Sequence, residues 1–239
     1  MIKQVNQNNG FVIVASSKYV FYKSAILCAE SLRDFYPDAH ITFFTHKEWV
    51  DNDCNVFDDI KTDIPNNKRA KMWALARSPY NLTMYLDADI EVRDSEISNC
   101  FHLIPENFDI LMTKIRPYAA AITEFPGGML TWHCGLFLFR KNQKMINFFQ
   151  DWYNDYYQQQ KDWTFDTDLY PKTLQPWDTW TFWKLLHLDG YDEKIRIGRF
   201  PEDARWNFHN LRYNELEGKS IILYHNTIRK RKTHERDRD

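Results

Sequence analysis

Two hydrophobic patterns alternate along the first half of the chain. Residues 11–15 (FVIVA) form a continuous apolar, β-branched run behind Asn8-Asn9-Gly10, which is the pattern of a buried strand. Over residues 22–36, Ala25, Ile26, Ala29, Leu32 and Phe35 recur near helical spacing, and Pro37-Asp38 stops that helix. Residues 40–45 (HITFFT) supply a second strand, so the order strand, helix, strand predicts a parallel βαβ unit. Residues 49–67 are polar and carry few signals. Residues 68–77 are rich in helix formers and end at Ser78-Pro79. A third buried strand, 82–86, runs straight into Asp87-Ala88-Asp89, and 90–92 alternates like a half-exposed strand.

The second half predicts strands at 110–115 and 136–140 and a long helix over 142–160. On that helix Met145, Ile146, Phe148, Phe149, Trp152, Tyr153 and Tyr156 gather roughly on one side. A loop with two prolines spans 161–176. A helix follows over 178–187, with Asp178 suited to cap it. Short strands at 195–197 and 221–224 complete the pattern. Residues 116–129, with Pro117, Pro126, Gly127 and Gly128, predict a mobile loop beside a site. No repeat, low-complexity tract or interdomain linker interrupts the chain, so the expectation is one α/β domain.

Composition narrows the class. The 239 residues carry 31 Lys/Arg and 33 Asp/Glu, a soluble globular balance. The charge is uneven: residues 229–239 form a basic tail, and the rest is acidic, a poor match for duplex nucleic acid. No apolar run is long enough to span a membrane, and residues 1–10 lack a secretory stretch, so a cytoplasmic location is expected. Cys28, Cys54, Cys100 and Cys134 are far apart, without a zinc spacing, and read as reduced thiols. Aromatic residues make up 16% of the chain, a large apolar area that must enter the core or a cleft.

The chemistry concentrates at Tyr85-Leu86-Asp87-Ala88-Asp89. An apolar strand ends in two carboxylates one residue apart, and carboxylate oxygens are hard ligands for Mg²⁺ or Mn²⁺. The C-terminal edge of such a strand is where open α/β sheets bind ligands. A solvated acidic strand end has the same sequence, and the pair alone does not choose between the two.

Its context does more. The segments 11–19, 68–73, 85–92, 133–139, 177–180 and 222–225, in this order, resemble the GT-A fold glycosyltransferases, most of all the glycogenin-like and bacterial lipopolysaccharide galactosyltransferase group. The resemblance covers about residues 11–232 and implies a single Rossmann-like GT-A domain over 1–228. A mostly parallel mixed central sheet would be flanked by helices, with a donor-binding half near 1–92 and an acceptor half near 93–228. It also implies a metal-dependent transfer of a sugar from a nucleoside-diphosphate donor, UDP in this reading, to a hydroxyl of a glycan or glycoconjugate.

The resemblance further implies site residues. Ala15, Ser16 and Tyr19 would meet the nucleotide base, while Lys68, Arg69 or Lys71 would reach the diphosphate or sugar. Asp87 and Asp89, with Ala88 between them, and His225 would hold the metal; the histidine suits Mn²⁺ better than Mg²⁺. Lys230 or Arg231 would close over the donor phosphates. His133 stands where the family has Asn, and Asp178 matches the first acid of a segment otherwise changed to Thr179 and Trp180, so both are candidate catalytic groups. Asp178 as a sugar ligand, a catalytic group or a helix cap stays open, as does retention against inversion, with retention favoured by the resemblance. Trp177, Trp180, Trp206 and Asp203 are candidate acceptor contacts.

Two other functions fit parts of the pattern. A sugar-phosphate nucleotidyltransferase shares the nucleotide-binding layout but normally has a Gly-rich phosphate loop, whereas Ser16-Ser17-Lys18 contains no glycine. A non-catalytic carbohydrate-binding protein would use the aromatic cluster without a metal.

Overall fold

The computed structural model describes residues 8–115, 131–209 and 214–225. Its centre is a seven-stranded sheet in the order β3-β2-β1-β4-β7-β6-β8. The strands are β1 (Asn9–Val14), β2 (Ile41–Phe44), β3 (Asp59–Lys61), β4 (Leu82–Leu86), β6 (Ile110–Lys114), β7 (Trp132–Arg140) and β8 (Ile197–Arg199). β1 pairs in parallel with β2 and β4, β2 with β3, and β6 with β8. Only β7 is reversed, running antiparallel to both β4 and β6. A separate two-stranded ladder joins β5 (Ile90–Val92) to β9 (Leu223–His225), with Ile90 opposite His225.

Helices cover both faces, as a mostly parallel sheet requires. The helices are α1 (Tyr19–Phe35), α2 (Lys71–Leu75), α3 (Gln143–Lys161), α4 (Asp178–His187) and α5 (Asp203–Trp206). Alternation along β1 divides the core: Phe11 and Ile13 join α1 on one face, whereas Val12 and Val14 join α2, α3 and α4 on the other. This is why residues 11–15 read as an unbroken apolar run, since neither face meets water. On α3, Met145, Phe148, Phe149 and Trp152 are wholly buried, and the Asn142 side chain accepts from Met145 N at 3.0 Å as the N-cap.

The predicted elements recur, with differences at short ones. The helix expected over 68–77 contracts to Lys71–Leu75, because Asn67 Oδ1 accepts from Arg69 N in a local turn that occupies the start. β3 lies within the stretch that carried few signals, and α5 had no helical signal. The strand expected at 136–140 begins earlier, at Trp132. The 116–129 loop lies wholly outside the described residues. The tail 229–239, with Lys230 and Arg231, lies wholly outside them. Among the described residues, no helix is long and apolar enough to cross a membrane.

Gly10, inside β1, admits the ring of Tyr80 against its backbone. A Cβ there would lie 2.2 Å from a ring carbon. Tyr80 has little freedom to retreat, because it is buried and its hydroxyl sits 2.7 Å from both Thr42 Oγ1 and His40 Nδ1. Gly10→Ala is expected to destabilise the protein by about 1–3 kcal/mol through overpacking. Urea unfolding measures it, and an unchanged midpoint contradicts the packing argument.

Candidate active site

β1 and β4 end, and β7 begins, at one edge of the sheet. There Asp87 N donates to Gly135 O at 3.0 Å, which continues the β4–β7 ladder past the last paired residues. The chain then turns, Ile90 N donating to Asp87 O at 3.0 Å, and enters β5. The β5–β9 register carries His225 to this edge. Ligand atoms of Asp87, Asp89 and His225 all lie within 4.8 Å of one another. His225 Nε2 is 3.1 Å from Asp89 Oδ1 and 3.9 Å from Asp87 Oδ2.

Three features show that this donor set fits a divalent ion. Two carboxylates are hard oxygen donors suited to Mn²⁺ or Mg²⁺, and the imidazole adds one nitrogen donor, which Mn²⁺ accepts more readily than Mg²⁺. The 3.1 Å Asp89–His225 spacing is close to the edge of an octahedron with bonds of about 2.1 Å, the length usual for a small divalent cation. Gly135 supplies the room: a Cβ there would come within 2.6 Å of Asp87 Oδ2, His133 Cε1 and His225 Cε1 alike. The Tyr85 hydroxyl donates to Asp87 Oδ1. Burial and the adjacent Asp87 carboxylate push that hydroxyl well above its ordinary pKa, so it remains a donor.

Beside the carboxylate pair lies a buried ion cluster. Lys71 Nζ sits 2.9 Å from Asp178 Oδ2 and 3.7 Å from Asp87 Oδ1, and also donates to the Cys134 carbonyl. Arg69 Nε lies 3.3 Å from Asp178 Oδ1. Burial opposes charge on all three groups. For Asp178, the Arg69 and Lys71 cations outweigh burial and hold the carboxyl below its ordinary value. For Lys71, Asp178 and Asp87 outweigh burial and hold the ammonium above its ordinary value. Asp178 is the first residue of α4 but not its cap: Trp177 occupies the cap position, and the Asp178 carboxylate turns inward to the cations.

Arg69, Lys71, Asp87 and Asp89 form the wall shared by two adjoining cavities of about 150 and 210 Å³. The first is also lined by Ser16, Phe21, Lys68 and Ala88. The second is also lined by His133, Cys134, Gly135, Trp177, Asp178 and His225. His133 Nδ1 accepts from Gly135 N at 3.1 Å, and its ring stands perpendicular to that of His225 at 5.0 Å. Near the first cavity, Ala15 is buried and Ser16 Oγ donates to Pro65 O at 2.8 Å. Tyr19 is 45% exposed, stacked on Tyr22 at 5.2 Å.

Three expected acceptor contacts are placed elsewhere. Trp180 is wholly buried and packs on Trp183, Trp163 and Tyr170, so neither of its faces meets a ligand. Trp206 is buried in the core against Phe200. The Asp203 carboxylate is committed to Lys114 N at 2.8 Å and to Arg199 at 2.8 and 2.9 Å, which bolts α5 to β6 and β8. Only Trp177, of the four, lines the cleft. Conversely, Thr113 and Asn207 support the site and carry no sequence signal, while Tyr85 and Gly135 lie within the sequence motifs without a role of their own there. Tyr85 lies two residues before Asp87, the strand spacing that shares a face, and that signal was available.

Asp178→Asn tests the ion cluster. Buried Lys71 and half-buried Arg69 would face a neutral amide, and a loss of about 3 kcal/mol at pH 7 is expected. A carboxyl held low in the fold stabilises it above its unfolded pKa of about 3.9 and loses that contribution as pH falls through the depressed folded value. The stability gap between wild type and variant, from urea unfolding, is therefore expected to narrow below about pH 4. A gap that stays constant into acid contradicts the assignment.

No protein-family model and no curated protein sequence matches the chain. Solved structures do. The chain is similar to the galactosyltransferase LgtC, in complex with donor and acceptor sugar analogues, with 14% identity and a TM-score of 0.56 over 91% of this chain and 86% of that one. It is similar to the glycosyltransferase GlyE of Streptococcus pneumoniae TIGR4, with 11% identity and a TM-score of 0.60 over 91% of this chain and 54% of that one. It is also similar to a glycosyltransferase involved in glycosylation of the major capsid of PBCV-1, with 11% identity and a TM-score of 0.56 over 95% of this chain and 98% of that one. At such identities the likeness concerns architecture: the chain has the GT-A fold of these glycosyltransferases, as its ordered motifs predict.

Proposed function

We propose that this chain is a metal-dependent glycosyltransferase that moves a sugar from a nucleoside-diphosphate donor, UDP in this reading, to a hydroxyl of a glycan or glycoconjugate. The convergence of Asp87, Asp89 and His225 at the sheet edge, against a glycine that leaves room for an ion, carries the proposal. Mn²⁺, or Mg²⁺ in its place, would be held by these three residues and would supply charge neutralisation for the departing diphosphate.

The rest of the site has roles consistent with that reaction. Tyr19, Ala15 and Ser16 receive the base at the end of β1. Arg69 and Lys68 face the first cavity and take the phosphates, Arg69 through its bidentate guanidinium. Lys71 and Asp178 form the polar wall next to the sugar. His133 and Trp177 line the acceptor side. Because His133 Nδ1 accepts from Gly135, its neutral ring carries the hydrogen on Nε2 and offers a donor. Lys230 or Arg231 of the tail adds a cation over the donor once bound. The acceptor hydroxyl oxygen bonds to the anomeric carbon as the bond to the diphosphate oxygen breaks. The hydroxyl proton leaves with the diphosphate, and the configuration is retained.

Thermal unfolding with nucleotide sugars, with and without Mn²⁺, tests this. Stabilisation of about 2.7 kcal/mol is expected at one hundred times Kd, and only when UDP and Mn²⁺ are both present. Asp89→Ala is expected to lower Mn²⁺ affinity more than about 100-fold, beyond what loss of an outer partner costs. Stabilisation that survives in Asp89→Ala sinks the metal assignment. A carbohydrate-binding protein would instead respond to glycan without Mn²⁺. Single-turnover NMR of the product anomer decides retention.

A further inference from the structure

Behind His225 lies a buried hydrogen-bonded pair, Asn207 and Thr113. His225 Nδ1 lies 2.9 Å from Asn207 Oδ1, and Asn207 Nδ2 donates to Thr113 Oγ1 at 2.7 Å. All three side chains are buried, at 3%, 2% and 0% exposure. They come from three separated segments: β9, the residue after α5, and the bulge in β6 between Met112 and Thr113.

The direction of these bonds has a chemical result. A carbonyl oxygen only accepts, so Nδ1 of His225 must carry the hydrogen. The neutral ring then has its lone pair on Nε2, the atom 3.1 Å from Asp89 Oδ1. A lone pair and a carboxylate oxygen at that distance repel unless a positive centre, a second ring proton or a divalent ion, joins them. The opposite amide orientation would put Nδ2–H against Nδ1. Nε2 would then carry the hydrogen, give it to Asp89 and be lost as a ligand.

We propose that Asn207 is a positioning residue: it fixes the Nδ1–H tautomer of His225, presents Nε2 to the divalent ion, and is itself oriented by Thr113. This rests on the metal reading above. Asp203 contributes indirectly, since its bonds to Arg199 and Lys114 N hold α5, and Asn207 N donates to Asp203 O at 3.0 Å. Asn207 therefore lies at the end of a short rigid chain of contacts anchored on the main sheet.

The tautomer is read directly from ring-nitrogen shifts of ¹⁵N-histidine-labelled, metal-free protein, and the affinity from free-Mn²⁺ electron paramagnetic resonance. The wild type is expected to show Nδ1–H at His225. Asn207→Asp, whose carboxylate can only accept while Thr113 turns to donate, is expected to keep that tautomer and bind Mn²⁺ at least as tightly. Asn207→Leu is expected to lose the tautomer preference and to bind Mn²⁺ about 10–100-fold more weakly. Thr113→Val, which frees the amide, is expected to fall between wild type and Asn207→Leu. If Asn207→Leu does not fold, Asn207→Asp and Thr113→Val carry the comparison. An Nε2–H tautomer in the wild type overturns the proposal. So does an Asn207→Leu protein with wild-type tautomer and affinity, or an Asn207→Asp protein that binds more than ten-fold worse. A wild type that binds no Mn²⁺ overturns the metal reading instead, and the metal-free tautomer still decides whether Asn207 orients His225.

Discussion

The pairing of Ile90–Val92 with Leu223–His225 joins the strand that follows Asp89 to the last described residues, and the meeting of His225 with the two carboxylates follows from it. Ile90 faces His225, so the residue just before Ile90 is brought to the imidazole. Strand side chains alternate faces, and a slip of one residue would turn His225 away from both aspartates. Two three-residue strands would be a weak lock by themselves. They are reinforced on the far side, where His225 N donates to Phe208 O at 2.9 Å and Phe208 N donates to Leu223 O at 3.0 Å. Backbone bonds on both sides of β9 fix the register, and side-chain bonds fix the ring.

The adjoining charges are balanced with equal care. Asp87, Asp89 and Asp178 lie around Lys71 and Arg69, with Lys71 and Asp178 buried and the other three partly exposed to the cleft. A cluster of this kind contributes little net stability over an apolar core, because desolvation consumes most of the attraction. Its worth lies elsewhere. Lys71 bridges Asp178 on α4 and Asp87 on the sheet edge, and it binds the carbonyl of Cys134 on β7. One ammonium thus ties together three elements that surround the cleft. It also stays charged, since both carboxylates raise it against the pull of burial.

Much of this was legible in the amino-acid order, for identifiable reasons. β1, β2 and β4 are mostly apolar runs bounded by polar residues, and α1 is long enough to show a period. Asp87-Ala88-Asp89 is contiguous, so its chemistry is written locally. His225 was reached only through ordered resemblance, because the ladder that brings it to Asp89 is non-local. β3 and α5 were not legible, since three or four residues cannot display a period, while the strand expected at 195–197 is observed two residues later, at Ile197–Arg199. Trp180 and Trp206 show a different limit. A tryptophan that stacks on a sugar and one that fills a core have the same spacing, and only packing separates them. Asp178 and Asp203 both stand at the start of helices, which suggests caps or ligands, yet both carboxylates turn to cations. Asn207 and Thr113 carried no signal, because their meaning depends on a histidine that neither adjoins in sequence.

The reversal of β7 sets what reaches the cleft. In an all-parallel sheet each strand delivers only its last residues to the ligand edge. Because β7 runs the other way, its first residues, Trp132 to Gly135, arrive there instead, while its remaining length is locked between β4 and β6. The chain ahead of Trp132 thus enters the sheet at the cleft rather than at the opposite end. Two demands are thus separated along one strand: His133–Gly135 line the cleft, while Leu136–Phe139 are buried in the core.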